Sequence, residues 1–244
     1  MPKFFLPPEE IQDSFMVLAG EQYQHARVLR LKNGDAVTVC DGCGTDYRCI
    51  VSDVSEGRIS LVVQSRNASL AEPSVAATLC MAFAKADKFE HVVQKATELG
   101  ACAIVGFPSA RCVSRPDGKS LQKKLERWQK IAASAAEQSG RGRIPEVRVL
   151  PSYAAALEEA ARSDLSVLFY ENERSHTFRS AVEKASPFRT AALLTGPEGG
   201  LEPAEVEAAV RAGLQICTLG SRILRCETAP LSALSALMYA VGEF

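Results

Sequence analysis

The hydrophobic pattern of this 244-residue chain changes its period near residue 70, and this change constrains the fold more than any other feature. In residues 37–40, 47–52 and 59–63, apolar and polar side chains alternate. Alternation with a period of two residues is typical of half-buried β-strands. Turns between these runs are predicted at Gly34, Gly42 and Gly57. Short strands joined by tight turns favour a small β-barrel, which we predict over residues 1–70.

After a polar segment at 65–74, which we interpret as a linker, apolar runs alternate with stretches of helical periodicity. Strands are predicted at 76–84, 102–107, 147–150, 165–170, 190–195 and 214–219. Helices are predicted at 87–99, 121–140, 153–162, 203–212 and 229–241. Strands that alternate with helices are typical of a mostly parallel sheet covered on both faces. We therefore predict an α/β domain over residues 75–244.

Three helix starts carry local signals. Asp87 and Glu90 have the spacing of a capping box, and Pro203 suits the first position of a helix. Thr228 is expected to cap the last helix.

Composition excludes several classes of protein. The uncharged apolar run at residues 75–84 is far shorter than the roughly 20 residues that a membrane span needs. Prolines and acids interrupt any signal-peptide core at the N-terminus, so we expect a cytoplasmic protein. Cys40 and Cys43 form a CxxC pair, but no second pair completes a zinc site, and we predict no metal.

The net charge of −1 argues at first against a nucleic-acid partner. Between Arg111 and Arg148, however, there are ten basic residues and four acids, one of which is Asp117. This segment therefore has a net charge of +6, and the rest of the chain has a net charge of −7. Such asymmetry indicates a partner, although a solvated helix face explains Lys123, Lys124, Arg127 and Lys130 equally well. The glycine-containing loop at 138–143 has no helix face to decorate, so its arginines favour phosphate or RNA binding.

Two loops near the C-terminus carry the strongest site signal. Residues 196–200, GPEGG, follow a predicted strand, and residues 219–229, LGSRILRCETA, follow the next one. Glycines at the carboxyl end of a strand let a ligand approach the backbone closely. We expect the two loops to form the walls of one pocket, with Arg225 and Glu227 buried beside it. No phosphate-binding P-loop, dinucleotide fingerprint or serine nucleophile motif is present.

Together these two loops resemble the SPOUT superfamily of knotted methyltransferases, and in particular the ribosomal RNA small subunit methyltransferase E family. Further matches follow in the family's order at 25–31, 85–88, 94–100, 127–131 and 137–141. The chain departs from the family pattern at Ala110, where an acid is frequent, and at Cys226, where threonine is usual.

The resemblance implies a PUA-like RNA-binding β-barrel followed by a SPOUT α/β domain with a trefoil knot, the knot and cofactor site lying at about 190–235. It also implies a homodimer, S-adenosylmethionine as the methyl donor, and methylation of uridine N3 in 16S ribosomal RNA of the small ribosomal subunit.

Site residues follow from the same resemblance. Arg225 is expected to stabilise charge on the pyrimidine, while Glu198 or Glu227 removes the N3 proton or orients Arg225. The expected cofactor-binding residues are Leu194, Thr195, Gly196, Pro197, Gly199, Gly200, Leu219, Gly220, Ile223, Leu224, Arg225 and Thr228. The expected RNA-binding residues are His25, Arg27, Arg30, Lys85, Arg111, Arg115, Gln138, Arg141 and Arg143.

Two alternatives to base methylation stay open. One is ribose 2′-O-methylation by the same kind of fold. The other is a non-catalytic RNA-binding or ribosome-assembly factor, against which the intact glycines of the two loops count.

Overall fold

The computed structural model describes residues 1–113, 115–116 and 118–244, so Asp117 of the basic segment lies outside the described residues. The chain divides into two compact units. The N-terminal unit comprises residues 1–72 and 136–144, and the C-terminal unit comprises residues 73–135 and 145–244. Among the described residues, no helix has the length and apolar character needed to cross a membrane.

The N-terminal unit is built on one five-stranded sheet. Its elements in chain order are β1 (Lys3–Phe5), a 3-10 helix (Pro8–Glu10), β2 (Phe15–Ala19), α1 (Gly20–Val28), β3 (Ala36–Cys40), β4 (Thr45–Ser55) and β5 (Arg58–Ala68). The strand order is β1-β3-β4-β5-β2, and only the β1–β3 pair is parallel. Pairing stops at β1 on one side and β2 on the other, so the sheet is a half-barrel.

The alternating pattern in β4 and β5 does mark one buried face. Tyr47, Cys49 and Val51 point into the core with Ile59 and Leu61, while the residues between them are more exposed. The predicted turn at Gly57 joins the two strands. Because successive side chains on a strand point to opposite faces of the sheet, the sequence of each strand alone is enough to predict which face is buried.

Three features of the N-terminal unit differ from the sequence predictions. β5 continues through residue 68, so residues 65–68 form strand rather than linker. Strand β1 has only three residues, and β2, with the sequence FMVLA, is apolar throughout, so neither shows an alternating pattern. Helix α1 was not predicted because it buries only Ala26, and a helix without an apolar stripe has no periodic signal.

The C-terminal unit is an all-parallel six-stranded sheet with helical connections, as predicted. Its elements are β6 (Ala76–Ala82), α2 (Ala86–Glu98), β7 (Ala103–Phe107), α3 (Gly118–Ser139, whose last turn belongs to the N-terminal unit), β8 (Glu146–Val149), α4 (Tyr153–Ala160), β9 (Leu165–Phe169), α5 (Phe178–Ala185), β10 (Thr190–Thr195), α6 (Pro203–Arg211), β11 (Gln215–Cys217) and α7 (Thr228–Ala240).

The strand order β11-β9-β10-β6-β7-β8 positions the site. The chain first builds outward from β6 to β8 and then returns to the other side of β6. In parallel sheets, ligands bind outside the carboxyl ends of strands, near the point where the order reverses. β9, β10 and β11 lie side by side there, so the loops that follow them meet at one edge of the sheet.

Helix boundaries were predicted less well than helices. Pro203 is the first residue of α6, as predicted. The capping box at Asp87 is wrong, because α2 begins at residue 86 with Lys85 at its N-cap. Thr228 is the first residue of α7 rather than its cap, a position that Glu227 takes. Helix α5 was missed, although α4, which has the same length and the same number of buried side chains, was predicted.

Candidate active site

A cavity of about 560 Å³ opens at the carboxyl ends of β9, β10 and β11 in the C-terminal unit. This volume lies within the range of small-molecule sites. Both glycine-containing loops contribute to its wall. The cavity is lined by Lys88, Phe169, Tyr170, Glu171, Thr195, Gly196, Pro197, Glu198, Gly199, Gly200, Thr218, Leu219, Gly220, Arg222, Ile223, Leu224, Arg225, Cys226 and Ala229.

The loop after β10 needs its glycines for space as well as for conformation. Gly200 has φ +68°, and a Cβ built on it would lie 2.3 Å from Oε1 of Glu171. A Cβ on Gly199 would lie 3.1 Å from Cβ of Arg111, whose Nη1 donates to the Gly199 carbonyl at 3.1 Å. The loop therefore packs closely against neighbours on two sides, which leaves its backbone facing the cavity.

The start of α6 anchors the far end of this loop. The Glu202 N–H donates to Oε2 of Glu205 at 2.9 Å, and the Ala110 N–H donates to Oε1 of the same carboxylate at 2.8 Å. The Tyr153 hydroxyl donates to the Glu205 carbonyl at 3.0 Å. Glu205 thus ties the loop to two other parts of the unit, a role that sequence reasoning missed.

The side-chain hydroxyl of Thr218 stabilises the turn at the start of the loop after β11. The Gly220 N–H donates to Oγ1 of Thr218 at 3.1 Å, and this hydroxyl donates in turn to the Gly220 carbonyl. Gly220 has φ +106°, which favours glycine. At the other end of the loop, the Arg225 carbonyl accepts the N–H groups of Thr228 and Ala229 at 2.9 Å, which joins the loop to α7.

A cation and two carboxylates meet at the cavity wall. Nζ of Lys88 lies 3.4 Å from Oε1 of Glu198 and 3.3 Å from Oε2 of Glu227. The Lys85 N–H donates to Oε1 of Glu198 at 3.1 Å. The Cys226 thiol donates to Oε2 of Glu227 at 3.1 Å. Lys88 belongs to α2, whereas Glu198 and Glu227 belong to the loops after β10 and β11.

These contacts shift the pKa values of the cluster. Burial disfavours the Glu198 carboxylate, but the Lys85 N–H and the Lys88 ammonium outweigh it and lower the pKa of Glu198. The Cys226 thiol and Lys88 lower the pKa of Glu227. Desolvation, together with the hydrogen bond to Glu227, raises the pKa of Cys226 to about 12, so the thiol stays protonated at neutral pH. Both carboxylates are therefore ionised at neutral pH.

Thr195 points to a polar ligand. It is 2% exposed, lines the cavity, and its Oγ1 has no hydrogen-bond partner among the described residues. A buried hydroxyl left unpaired is unfavourable. A ligand with a polar group could pair it.

Most of the predicted cofactor-binding residues line this cavity, and two do not. Leu194 is fully buried in the core of the unit, where its side chain packs. Thr228 is exposed on the first turn of α7. The expectation that Arg225 is buried is wrong, because this residue is exposed at the cavity, and the Glu227 side chain is 29% exposed.

Sequence reasoning missed several cavity residues, among them Lys88 and Glu171. Lys88 belongs to the 85–88 segment that carries part of the family resemblance, which was the available signal. Glu171 follows β9, and only the strand order shows that this strand lies between β10 and β11. Within the described part of the chain, no three metal-ligating side chains are grouped as a metal site.

The expected RNA-binding residues divide between the two units. Lys85, Arg111 and Arg115 belong to the C-terminal unit, and all three are exposed. In the N-terminal unit, Arg27, Arg30, Gln138 and Arg143 are exposed, and His25 is half-buried with its Nδ1 3.1 Å from Glu137.

The position of Arg141 does not agree with the RNA-binding role expected for it. It is 3% exposed, and its guanidinium binds Glu72. The sequence argument assumed that an arginine without a helix face must face a ligand, whereas here it binds an acid of its own unit.

Comparison with known proteins gives two family matches. A model described as an RNA methyltransferase domain matches residues 71–238, which is more than half of the chain. A model described as an RNA methyltransferase PUA domain matches residues 18–64.

Individual relatives agree with these matches. The chain is 36% identical over 247 residues to the ribosomal RNA small subunit methyltransferase E of Bacillus subtilis, covering 98% of this chain and 96% of the relative. It is 34% identical to the protein of that name from Synechocystis, covering 96% and 76%. A crystal structure of a ribosomal RNA small subunit methyltransferase E from Neisseria gonorrhoeae bound to S-adenosyl methionine superposes with a TM-score of 0.85 and 32% identity, covering 98% and 97%. The chain therefore belongs to the ribosomal RNA small subunit methyltransferase E family.

Proposed function

We propose that this protein transfers a methyl group from S-adenosylmethionine to N3 of a specific uridine in 16S ribosomal RNA of the small subunit. The observation that carries the proposal is the cavity at the sheet edge, where both family loops meet Arg225, Glu198 and Glu227. Family membership supports the general reaction, and these polar groups support chemistry on a base that must lose a proton.

The cavity residues fit S-adenosylmethionine. The cavity volume of about 560 Å³ suits a nucleoside with an amino-acid tail. The unpaired Thr195 hydroxyl can bond to a polar group of the ligand. Glycine at 196, 199 and 200 leaves the loop backbone open to the cavity, so peptide N–H and C=O groups can bind the cofactor. We propose that the residues predicted for cofactor binding act here, apart from Leu194 and Thr228, whose side chains lie away from the cavity.

The proposed step is an in-line displacement. When bound, S-adenosylmethionine supplies an electrophilic methyl group, whose bond to sulfur breaks as the bond to N3 forms, the electron pair remaining on sulfur. N3 of uridine becomes a nucleophile only when its proton leaves, and the carboxylate of Glu198 or Glu227 accepts that proton. Arg225 donates hydrogen bonds to the pyrimidine oxygens, where negative charge develops. The rest of the site positions the reactants.

We propose that the N-terminal unit is the PUA-like RNA-binding domain, with its main body at residues 1–70, and that residues 75–244, apart from segment 136–144 of the N-terminal unit, form the SPOUT domain. The match at 18–64 supports the first assignment. Exposed basic side chains in both units can bind phosphates, which fix the position of RNA. The proposed RNA-binding set keeps its predicted members except Arg141, whose guanidinium is bound to Glu72.

Three finer assignments come from the family. We propose that the segment from about 190 to 235 is knotted, that the protein is a homodimer, and that it works in the cytoplasm with the ribosome. The exposed apolar side chains of Ile223 and Tyr239 in the C-terminal unit support the dimer. Light scattering of the purified protein measures its mass and tests this assignment.

The decisive experiment is nucleoside mass spectrometry. Small ribosomal subunits from cells that lack this protein are incubated with the purified protein and methyl-labelled S-adenosylmethionine, then digested to nucleosides. We expect labelled 3-methyluridine, and no label on subunits that carry the modification already. Labelled 2′-O-methyluridine would establish ribose methylation instead. Cofactor binding without any methylated nucleoside would identify a non-catalytic RNA-binding factor.

A further inference from the structure

We propose that Lys88 is a positioning residue for the methyl transfer, and that its ammonium group holds the carboxylates of Glu198 and Glu227 together at the cavity wall. The inference rests on the proposed function, because it assigns a role to Lys88 in the same reaction. Sequence reasoning did not include this residue among the site residues.

The geometry places one cation between two acids from separate elements. Lys88 lies in the first turn of α2, Glu198 on the loop after β10, and Glu227 at the N-cap of α7. Nζ is 3.4 Å from the first carboxylate and 3.3 Å from the second. It is also 3.6 Å from Sγ of Cys226. A single ammonium group therefore joins both glycine loops to α2.

Partial burial makes these contacts stronger than ordinary surface pairs. The side chains of Lys88, Glu198 and Glu227 are 27%, 25% and 29% exposed. Two carboxylates that contact the same nitrogen also lie close to each other and repel. Without the cation between them, each would favour protonation of the other. Lys88 therefore keeps both acids ionised as well as in place.

Ionised carboxylates are what the reaction needs at this wall. A carboxylate can accept the N3 proton only when it is deprotonated, and it can orient Arg225 only when it carries charge. The pKa values of Glu198 and Glu227 are both lowered, and Lys88 contributes to each shift. The Cys226 thiol contacts Lys88 and Glu227. The further charged groups around the cluster are Lys85, Asp87, Arg111, Glu171, Arg222 and Arg225.

Two substitutions separate charge from packing. Lys88→Met removes the ammonium group and keeps a long apolar side chain, whereas Lys88→Arg keeps the charge. Lys95→Met is the matched control, because Lys95 lies on the same helix in an ion pair with Glu98 at 2.8 Å and does not line the cavity. Each protein is assayed for 3-methyluridine formation from pH 4 to 9.

For Lys88→Met we expect a loss of kcat that is largest at the acidic end of the range and becomes smaller as the pH rises. The acidic limb of its profile should move to higher pH, because the carboxylates lose the cation that favours ionisation. Lys88→Arg should keep the acidic limb at its wild-type position, because the positive charge remains, and Lys95→Met should keep the whole wild-type profile. A Lys88→Met profile that is lower at every pH by the same factor, or identical to wild type, would overturn the proposal.

A second measurement does not depend on turnover. Carbon-13 NMR of glutamate carboxyl groups, assigned with Glu198→Gln and Glu227→Gln, follows the titration of both acids. Their midpoints should rise in Lys88→Met and stay unchanged in Lys95→Met, and unchanged midpoints in Lys88→Met would contradict the proposal. If the wild-type protein forms no 3-methyluridine, the proposed function fails, and this titration still decides the role of Lys88.

Discussion

Glu72 binds Arg141 through both of its carboxylate oxygens. Oε2 accepts from Nη2 at 2.7 Å, and Oε1 accepts from Nε at 3.3 Å. The same Oε1 also accepts the backbone N–H groups of Gly142 and Arg143, at 2.8 and 3.0 Å. The pair thus connects the two chain segments of the N-terminal unit, and it makes a loop that the sequence presents as basic into part of the internal structure.

Stability of the N-terminal unit should depend on this pair. Removing one partner of a buried ion pair leaves an uncompensated charge, so Arg141→Ala and Glu72→Ala should each lower the free energy of unfolding by about 3–5 kcal/mol. Urea titration followed by circular dichroism measures the change. The control is Arg143→Ala, in the same loop but exposed, which should change it by less than about 0.5 kcal/mol. Equal effects of the Arg141 and Arg143 substitutions would contradict the assignment.

RNA binding should depend on Arg143 rather than on Arg141. Arg143→Gln removes an exposed cation, so affinity for small-subunit RNA should fall. The slope of log affinity against log salt should decrease by about 0.7–0.9 for each lost phosphate contact. Filter binding at several salt concentrations measures both quantities. Cofactor affinity, measured by calorimetry, should stay at the wild-type value. An unchanged salt slope would remove Arg143 from the RNA surface.

Catalysis should depend on Arg225 although the fold does not. The residue is exposed at the cavity, so Arg225→Ala should leave the free energy of unfolding within about 0.5 kcal/mol of wild type. The loss of a donor to developing charge should lower kcat by about 100- to 1,000-fold. Arg211→Ala is the control, because Arg211 is exposed on α6 and pairs only weakly with Glu207 at 3.8 Å. Near-normal formation of 3-methyluridine by Arg225→Ala would refute the role of Arg225.

The close packing of Gly200 against Glu171 should matter for cofactor binding. Gly200→Ala places a Cβ 2.3 Å from Oε1 of Glu171, which must move, so affinity for S-adenosylmethionine should fall. Gly213→Ala is the matched control, because Gly213 has φ +90° and nothing within 4 Å of the added Cβ. Both variants should lose about 1–2 kcal/mol of stability from left-handed backbone strain. Calorimetry should show weaker cofactor binding only for Gly200→Ala, and equal affinities would exclude the contact as the cause.

Acid should weaken the loop after β9 through Glu173. Its carboxylate accepts from the Ser175 hydroxyl, and from the backbone N–H groups of His176, Ser175 and Arg174, which lower its pKa from 4.5 to about 2. Because the pKa of Glu173 is lower in the folded state than in the unfolded state, its carboxylate stabilises the folded protein at pH values above the unfolded-state pKa. This contribution disappears as the pH falls toward 2. The Tm difference between wild type and Glu173→Gln should therefore shrink between pH 5 and pH 2. A difference that stays constant over this range would exclude the carboxylate as its source.

Sequence periodicity was enough to predict most strands and most helices, because the pattern that buries one face of an element is local. It identified the sheet of the C-terminal unit as parallel, and the two glycine loops were recognisable as the walls of a pocket. Short elements escaped it. β11 has three residues instead of the six predicted, and the eight-residue helix α5 was not predicted.

By itself, then, the sequence determined the two-part architecture, the edge of the sheet where the site lies, and the family resemblance. Only the tertiary structure decided which charges face solvent or each other. Arg141 and Glu72 are 69 positions apart, so no local pattern predicts that they pair. Lys88 reaches Glu198 and Glu227 only because parallel strands bring the ends of distant segments to one edge. The physical reason is range: hydrophobic periodicity is set by neighbouring residues, whereas ion pairing depends on which elements the fold brings together.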